Sequence, residues 1–212
     1  MRDIPLFTTE NGIASLTLNQ IPYTHSAWIR IQDSVSPELL LKECTDFCIA
    51  VGAEHIYATG HSCCEKHPMF TKIIHMQADI NTIGETDASL FPVTEDTLEQ
   101  WRTIYNQKIQ SVPNGSWMTI EKSREMLQQG SGYFVHRDGV LLGTGMVSGN
   151  HISWVASRMP GAGADVVRAL CHAVTEDAVN LEVASANRKA VNLYEKLGFI
   201  STSVLSVWYQ VK

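Results

Sequence analysis

Two segments carry residues whose types and spacing suit chemistry. The first is Arg158-Met159-Pro160-Gly161-Ala162-Gly163, between an apolar run and a helical pattern. Small residues at 161–163 let the backbone come close to a ligand. A helix starting there points its free N–H groups and positive dipole end at that ligand. Such a site suits a pyrophosphate; a plain strand-to-helix turn would read the same way. The second segment is Asn187 to Phe199, with Ala190, Leu193, Tyr194 and Leu197 on one helical face and Gly198 as a cap. Alone it is an ordinary amphipathic helix whose apolar residues need be nothing but core. Metal-ligand types also cluster: Cys44 and Cys48 at i, i+4, and His61, Cys63, Cys64 and His67 in one stretch, residues 61–67. Their spacing fits no usual structural zinc pattern, Cys44 and Cys48 read more simply as small core residues, and no metal is expected. Cys171 has no partner placed by sequence and reads as a buried thiol.

The elements that must position these groups follow from periodicity and turn residues. Thr94 before Glu95 and Asp96 reads as a helix N-cap, with Leu98, Trp101 and Tyr105 at helical spacing until Pro113-Asn114-Gly115 interrupts. A second helix runs from about Met118 to Gln129 and ends at Gly130. Gly132–His136 and Val140–Val147 flank an Asp138-Gly139 turn, a strong hairpin signal. Ile152–Ser157 is a third strand. After the glycine loop, Val166, Val167, Leu170 and Val174 mark a short helix, closed near Thr175-Glu176-Asp177. Val179–Ser185 is a buried strand, Arg188–Leu197 a helix, and Ile200–Val211 a β-rich tail. The order is α+β, a three-layer arrangement with one mixed central sheet flanked by helices. Earlier, Ile13–Leu18, Ala27–Ile31, His55–Thr59 and Lys72–Ile80 read as strands and Pro37–Val51 as a helix. This half echoes the second at a constant offset, Trp28 with Trp154 and Ala58 with Ala184. Residues 1–75 are then an N-terminal α/β segment, a degenerate half-copy if the echo is real, with Gln32–Ser36 in place of the glycine loop.

The loop and the helix together, on this strand order, resemble the GNAT N-acetyltransferase superfamily. Arg158-x-x-Gly161-x-Gly163 is similar to that family's acyl-CoA loop, and Asn187 to Phe199 to its N-x-x-A-x-x-x-Y-x-x-x-G-F segment. Phe91-Pro92-Val93-Thr94-Glu95-Asp96 is similar to its first strand and helix. The resemblance spans residues 76–212 and implies a GNAT-like domain there that uses acetyl-CoA. It implies that the backbone of Val155, Ala156 and Ser157 pairs with pantetheine, that Arg158 and Gly161, Ala162, Gly163 and Ala164 hold the pyrophosphate through N–H groups, and that Asn187 hydrogen-bonds the pantetheine arm. Tyr194 would lie near the thioester sulfur and protonate the leaving thiolate. Two departures stand out: the helix after the loop is short, and Pro160 removes one donor.

Acyl transfer also needs a neutral amine, and no single base declares itself. His151 and Ser153 share a face if their strand alternates regularly. Glu182 lies mid-strand, and His136 ends the second strand. Each is equally read as a surface polar residue, and a water chain would serve as well. Trp28, Trp117 and Trp154 are core residues or the wall of an acceptor pocket.

Composition narrows the rest. Over 212 residues, 44% are hydrophobic and 18% charged, enough for a core and too apolar for disorder. The net charge of −6 and the lack of a Lys/Arg run argue against nucleic acid and membrane surfaces as partners. An odd count of five Cys and an N-terminus without an apolar core point to a cytoplasmic protein with reduced thiols. The expectation is an N-acetyltransferase moving an acetyl group from acetyl-CoA to a small-molecule amine by direct attack. The alternatives are a non-catalytic CoA-binding or regulatory module, and a metal sensor built on residues 61–67. The β-rich tail offers an edge through which a homodimer could form.

Overall fold

Ala14 and Leu16, then Ala27, Ile29 and Ile31, alternate along two runs and turn one face of each into a shared core. That period of two is the strand signal the rest of the first unit is built on. The structure, a computed structural model, describes residues 2–110, 112 and 115–212; Pro113 and Asn114, read above as a helix interruption, lie outside the described residues. In chain order the elements are β1 (Ile4–Thr9), β2 (Gly12–Thr17), α1 (Ile21–Thr24), β3 (Ser26–Ser34), α2 (Pro37–Ala50), β4 (His55–Thr59), β5 (Met69–Asp79) and β6 (Ser89–Pro92). They continue with α3 (Leu98–Ile109), α4 (Ile120–Gln128), β7 (Gly132–Arg137), β8 (Val140–Ser148), β9 (His151–Ser157), α5 (Gly163–Cys171), β10 (Ala178–Ala184), α6 (Arg188–Lys196) and β11 (Ile200–Gln210). The chain divides into two compact units, one of residues 1–73 with 204–212 and one of residues 74–203.

In the first unit β1, β2 and β3 pair antiparallel, and β3 and β4 pair parallel through the α2 crossover. Pro37 opens α2, where its missing N–H costs nothing, and Leu40, Leu41, Cys44 and Cys48 bury one helical stripe on the sheet. The tail closes this unit: Tyr209 and Gln210 of β11 pair with Ala58 and Tyr57 of β4. The edge that the tail offered to a second copy is therefore taken up within the chain along this stretch. The strand β1 escapes a reading of alternation because its register against β2 shifts between Ile4 and Phe7, leaving Leu6 exposed.

In the second unit the strand order is β11-β5-β10-β9-β8-β7-β6. Strands β6 to β9 pair antiparallel in succession, and β9 and β10 pair parallel through α5. Asp138 and Gly139 take φ of 51° and 77°, a left-handed pair that joins β7 to β8 as a tight hairpin. The helices α5 and α6 cover one face with Val166, Val167, Leu170, Val191, Tyr194 and Phe199. On the other face α3 and α4 pack Trp101, Tyr105 and Met126 against Phe134 and Trp154. This is the three-layer α+β arrangement that the element order predicts. The approach of α5 depends on two strand glycines: a Cβ on Gly145 would stand 2.3 Å from Leu170 Cδ1, and one on Gly143 2.8 Å from Val166 Cγ2. Among the described residues no helix is long and apolar enough to cross a membrane.

Candidate active site

The glycine loop leaves β9 beside a bulge in β8. His136 and Val135 pair with Leu141 and Gly143, so Leu142 is an extra residue in β8, and its carbonyl accepts the Arg158 N–H at 2.7 Å. Ser157 Oγ donates to the Met159 carbonyl, and the Ala162 N–H closes the turn on Met159 O at 3.2 Å. These bonds correct the donor set expected from sequence. The backbone N–H groups of Arg158 and Ala162 are consumed within the loop, and Pro160 has none. The first intrahelical bond of α5 is Val166 N–H to Ala162 O, at 3.0 Å. Among the described residues, the N–H groups of Gly161, Gly163, Ala164 and Asp165 have no protein acceptor, and they form the cradle. Gly161 has φ of 84° and open space where a Cβ would stand. Asp165 places a carboxylate in this first turn, answered by Arg137 at 3.2 Å and Arg168 at 3.6 Å. The free N–H groups and the helix dipole suit a pyrophosphate.

Beside the cradle the sheet opens. Among the described residues, β9 and β10 pair at only two positions, His151 with Asn180 and Ile152 with Leu181. Beyond them β9 stays with β8, through Val155, Ala156 and Ser157 against Gly145, Thr144 and Gly143. The opposite edge of those three residues is left without a strand partner, which suits an extended amide-bearing arm.

The helix α6 flanks the opening. Asn187 is its N-cap, with Oδ1 accepting from Ala190 N–H at 3.3 Å, which leaves its amide Nδ2 and one Oδ1 lone pair to meet a ligand. At the other end Gly198 N–H bonds Glu195 O and Phe199 N–H bonds Tyr194 O, the two bonds of a Schellman cap. The cap's apolar contact is between Phe199 and Tyr194, ring centroids 5.7 Å apart. Tyr194 is thus set by backbone geometry at both ends of the contact. Burial pushes its phenol up to about 12. Its hydroxyl has no hydrogen-bond partner among the described residues, so it is a protonated donor without a protein acceptor.

The opposite face of the gap carries the titratable side chains. Leu181 and Val183 point to the α5/α6 core, so Glu182 points away from it. Ile152 does the same for His151. Between Ile152 and Trp154 the partner strand advances by one residue, Val147 to Met146, so Ser153 is the extra residue of a bulge. The regular alternation on which His151 and Ser153 would share a face is therefore broken. His151 is half-buried; burial lowers its imidazole, with Glu182 raising it and His75 lowering it further. Glu182 and His75 thus lie within electrostatic reach of His151. His75, on β5, was not singled out in the sequence, because nothing in Lys72–Ile80 says which strand it lies beside. Thr202 Oγ1 lies 2.6 Å from His75 Nδ1 and donates its one proton to the His75 carbonyl at 3.2 Å. The donor and acceptor roles at Nδ1 follow the His75 tautomer.

His136 lies elsewhere, in the wall of a cavity of about 640 Å³ between β6, β7, β8 and the start of α3, which Arg158 also lines. Three buried polar atoms have no partner among the described residues of this unit: His136 Nδ1, Thr144 Oγ1 and Trp154 Nε1. In the first unit, Cys44, Cys48, Cys63 and Cys64 are buried, and burial pushes the Cys44 and Cys64 thiols up to about 12. His61 Nδ1 accepts from Cys63 N–H, which is a turn contact. Among the described residues, no group of three or more His, Cys, Asp and Glu is placed to hold a metal.

No family model and no curated protein matches this sequence. Solved structures do. A GCN5-related N-acetyltransferase from Sphaerobacter thermophilus superposes with a TM-score of 0.59 at 11% identity, over 93% of this chain and 75% of its own. One from Kribbella flavida gives 0.58 at 12%, over 97% and 89%. A tandem GNAT protein from the clavulanic acid biosynthesis pathway gives 0.56 at 12%, over 95% and 78%. This chain has the GNAT fold. Within the second unit β9, α5, β10 and α6 follow one another directly, and Leu193 of α6 meets Gly163 at the start of α5.

Proposed function

We propose that this protein transfers an acyl group, acetyl in the simplest case, from a CoA thioester to a primary amine of a small molecule. The carrying observation is the gap between β9 and β10, with the free N–H groups of Gly161–Asp165 beside it and α6, the helix that carries Tyr194, packed against Gly163 through Leu193. Bound acetyl-CoA would supply an acyl group already activated as a thioester. The chain's own residues would do the rest. Gly161, Gly163, Ala164 and Asp165 N–H groups would hold the pyrophosphate, and the free edge of Val155–Ser157, with Asn187 Nδ2, would align the arm. On the other face Glu182 would draw in the acceptor as its ammonium, and a neutral His151 or His75 would take its proton. As the new C–N bond forms and the C–S bond breaks, Tyr194 O–H would donate to the departing sulfur. A phenol near 12 is a weak acid, but a thiolate leaving into the same apolar surroundings is a correspondingly stronger base. Direct attack within one site gains from holding both reactants together.

The first unit repeats the second unit's connection: an antiparallel pair, a crossover helix and a parallel strand. We read it as a half-copy without a cradle. Where the donors would be, Val35 and Ser36 N–H both bond Asn11 O, Pro37 has no N–H, and after β4 a five-residue 3-10 turn stands in place of a Tyr-bearing helix. One CoA per chain is therefore expected. Thermal unfolding with acetyl-CoA, and with NAD as a control, tests the reading. At about 100 times its dissociation constant a ligand adds roughly 2.7 kcal/mol, several degrees for a chain of this size. A shift with acetyl-CoA alone, followed by amine-dependent thiol release, supports transfer. A shift without any thiol release across an amine panel would leave a CoA-binding module, and no shift at millimolar acetyl-CoA would refute the reading.

A further inference from the structure

The cavity of about 640 Å³ in the second unit lies within the size range of small-molecule sites, and the mechanism above does not use it. Its walls are the apolar Phe91, Pro92, Phe134 and Leu141, with Thr97 and Gln100 from the start of α3 and Asp138 on the exposed hairpin turn. Two of its groups are unmatched. His136 Nδ1 is buried with no partner, an expensive state for a polar atom unless something else supplies one. Arg158, exposed on the solvent side, has no ionic partner among the described residues, although three other arginines of this unit, Arg102, Arg137 and Arg168, are paired. Phe91 meets the His136 ring edge-on at 5.1 Å and keeps 51% of its surface open.

We propose that this cavity binds an aromatic carboxylate, its ring against Phe91, Phe134 and Leu141 and its carboxylate shared by the Arg158 guanidinium and His136. A planar carboxylate matches a guanidinium in two parallel hydrogen bonds, which a lysine or an amide could not provide. The ring supplies what a bare anion lacks, because the walls other than Arg158 and His136 are mainly apolar. The cationic Arg158 sets the sign of the discrimination, and Asp138, in solvent on the hairpin turn, opposes further negative charge on the ligand. The site is separate from the acyl-transfer cradle: Arg158 lines it, while the Arg158 backbone N–H is held by the Leu142 carbonyl.

The test is titration of the full-length protein with phenylacetate, read by calorimetry and by NMR shifts of assigned amides, with phenethylamine and acetate as controls. The expected result is saturable one-site binding at about millimolar affinity or tighter. Shifts should centre on Phe91, His136 and Leu141. Arg158→Gln and Phe91→Ala, both changes to exposed side chains, should each weaken binding at least tenfold with unchanged unfolding temperatures. The proposal is overturned by no saturable binding at millimolar phenylacetate, by undiminished binding in Arg158→Gln, or by equal binding of phenethylamine. None of these readouts depends on acetyl-CoA, so failure here and failure of the transfer reading are told apart.

Discussion

A Cβ built on Gly163 would stand 3.0 Å from Leu193 Cδ2. The first helical residue of α5 is thus in contact with the helix that carries Tyr194, one residue on from Leu193. Gly163 matters first because α6 packs over it, and only then because a ligand would approach it. Gly163→Ala should be absorbed by a small movement of the Leu193 tip. Gly163→Val should displace Leu193, so acetyl-CoA affinity and the unfolding temperature should fall together. If affinity falls in the valine variant with stability intact, the packing argument is wrong and the residue acts on the ligand alone.

Gly161 separates the two effects. It has open space around it but a φ of 84°, which a side chain tolerates poorly. Gly161→Ala should cost about 1 kcal/mol, a shift of a few degrees in thermal unfolding. It should also weaken acetyl-CoA binding, because the strain is relieved by rotating the loop whose N–H groups form the cradle. Unchanged affinity in this variant would show that the loop is only a turn.

The hydroxyl of Tyr194 has no partner among the described residues, so removing it breaks no bond seen in the free protein. Tyr194→Phe should therefore leave stability within about 0.5 kcal/mol of the parent and leave acetyl-CoA affinity unchanged. Turnover should fall by about two orders of magnitude or more if the phenol is the acid that quenches the departing thiolate. The contact with Phe199 should survive, since it depends on ring and cap rather than on the oxygen. Turnover at the parent rate would remove Tyr194 from the chemistry.

Much of the second unit was legible because its signals are local. Asp138-Gly139 specifies its hairpin, Gly130 and Gly198 specify their caps, and Val166, Val167 and Leu170 specify the buried stripe of α5. What stayed hidden depends on register. Leu142 and Ser153 are bulged, and nothing in their types says so, yet Leu142 takes the Arg158 N–H out of the cradle and Ser153 breaks the alternation around His151. Gly143 and Gly145 look like weak strand positions until α5 is laid against them. His75 is separated from Thr202 by most of the unit, and only sheet order makes them neighbours. His151 and Glu182 were named in the sequence without His75, because finding it requires knowing that β5 and β9 both flank β10.

His151 gives a pH prediction with a sign. Burial lowers its imidazole below the usual 6.5, so at neutral pH it is uncharged and able to accept a proton. Its two titratable neighbours act oppositely: Glu182 raises it and His75 lowers it. Glu182→Gln should therefore move the His151 titration to still lower pH, and His75→Gln should move it up towards 6.5, both followed by imidazole proton NMR. If His151 is the base, the acid limb of turnover should track these shifts in the same directions. Stability has its own sign. The folded imidazole protonates less readily than the unfolded one, so below about pH 6.5 the unfolded chain binds the extra proton and stability declines as pH falls, levelling off below the folded value. His151→Gln should flatten that decline. A His151 titration that is indifferent to both Glu182→Gln and His75→Gln would mean that the three side chains do not form one site.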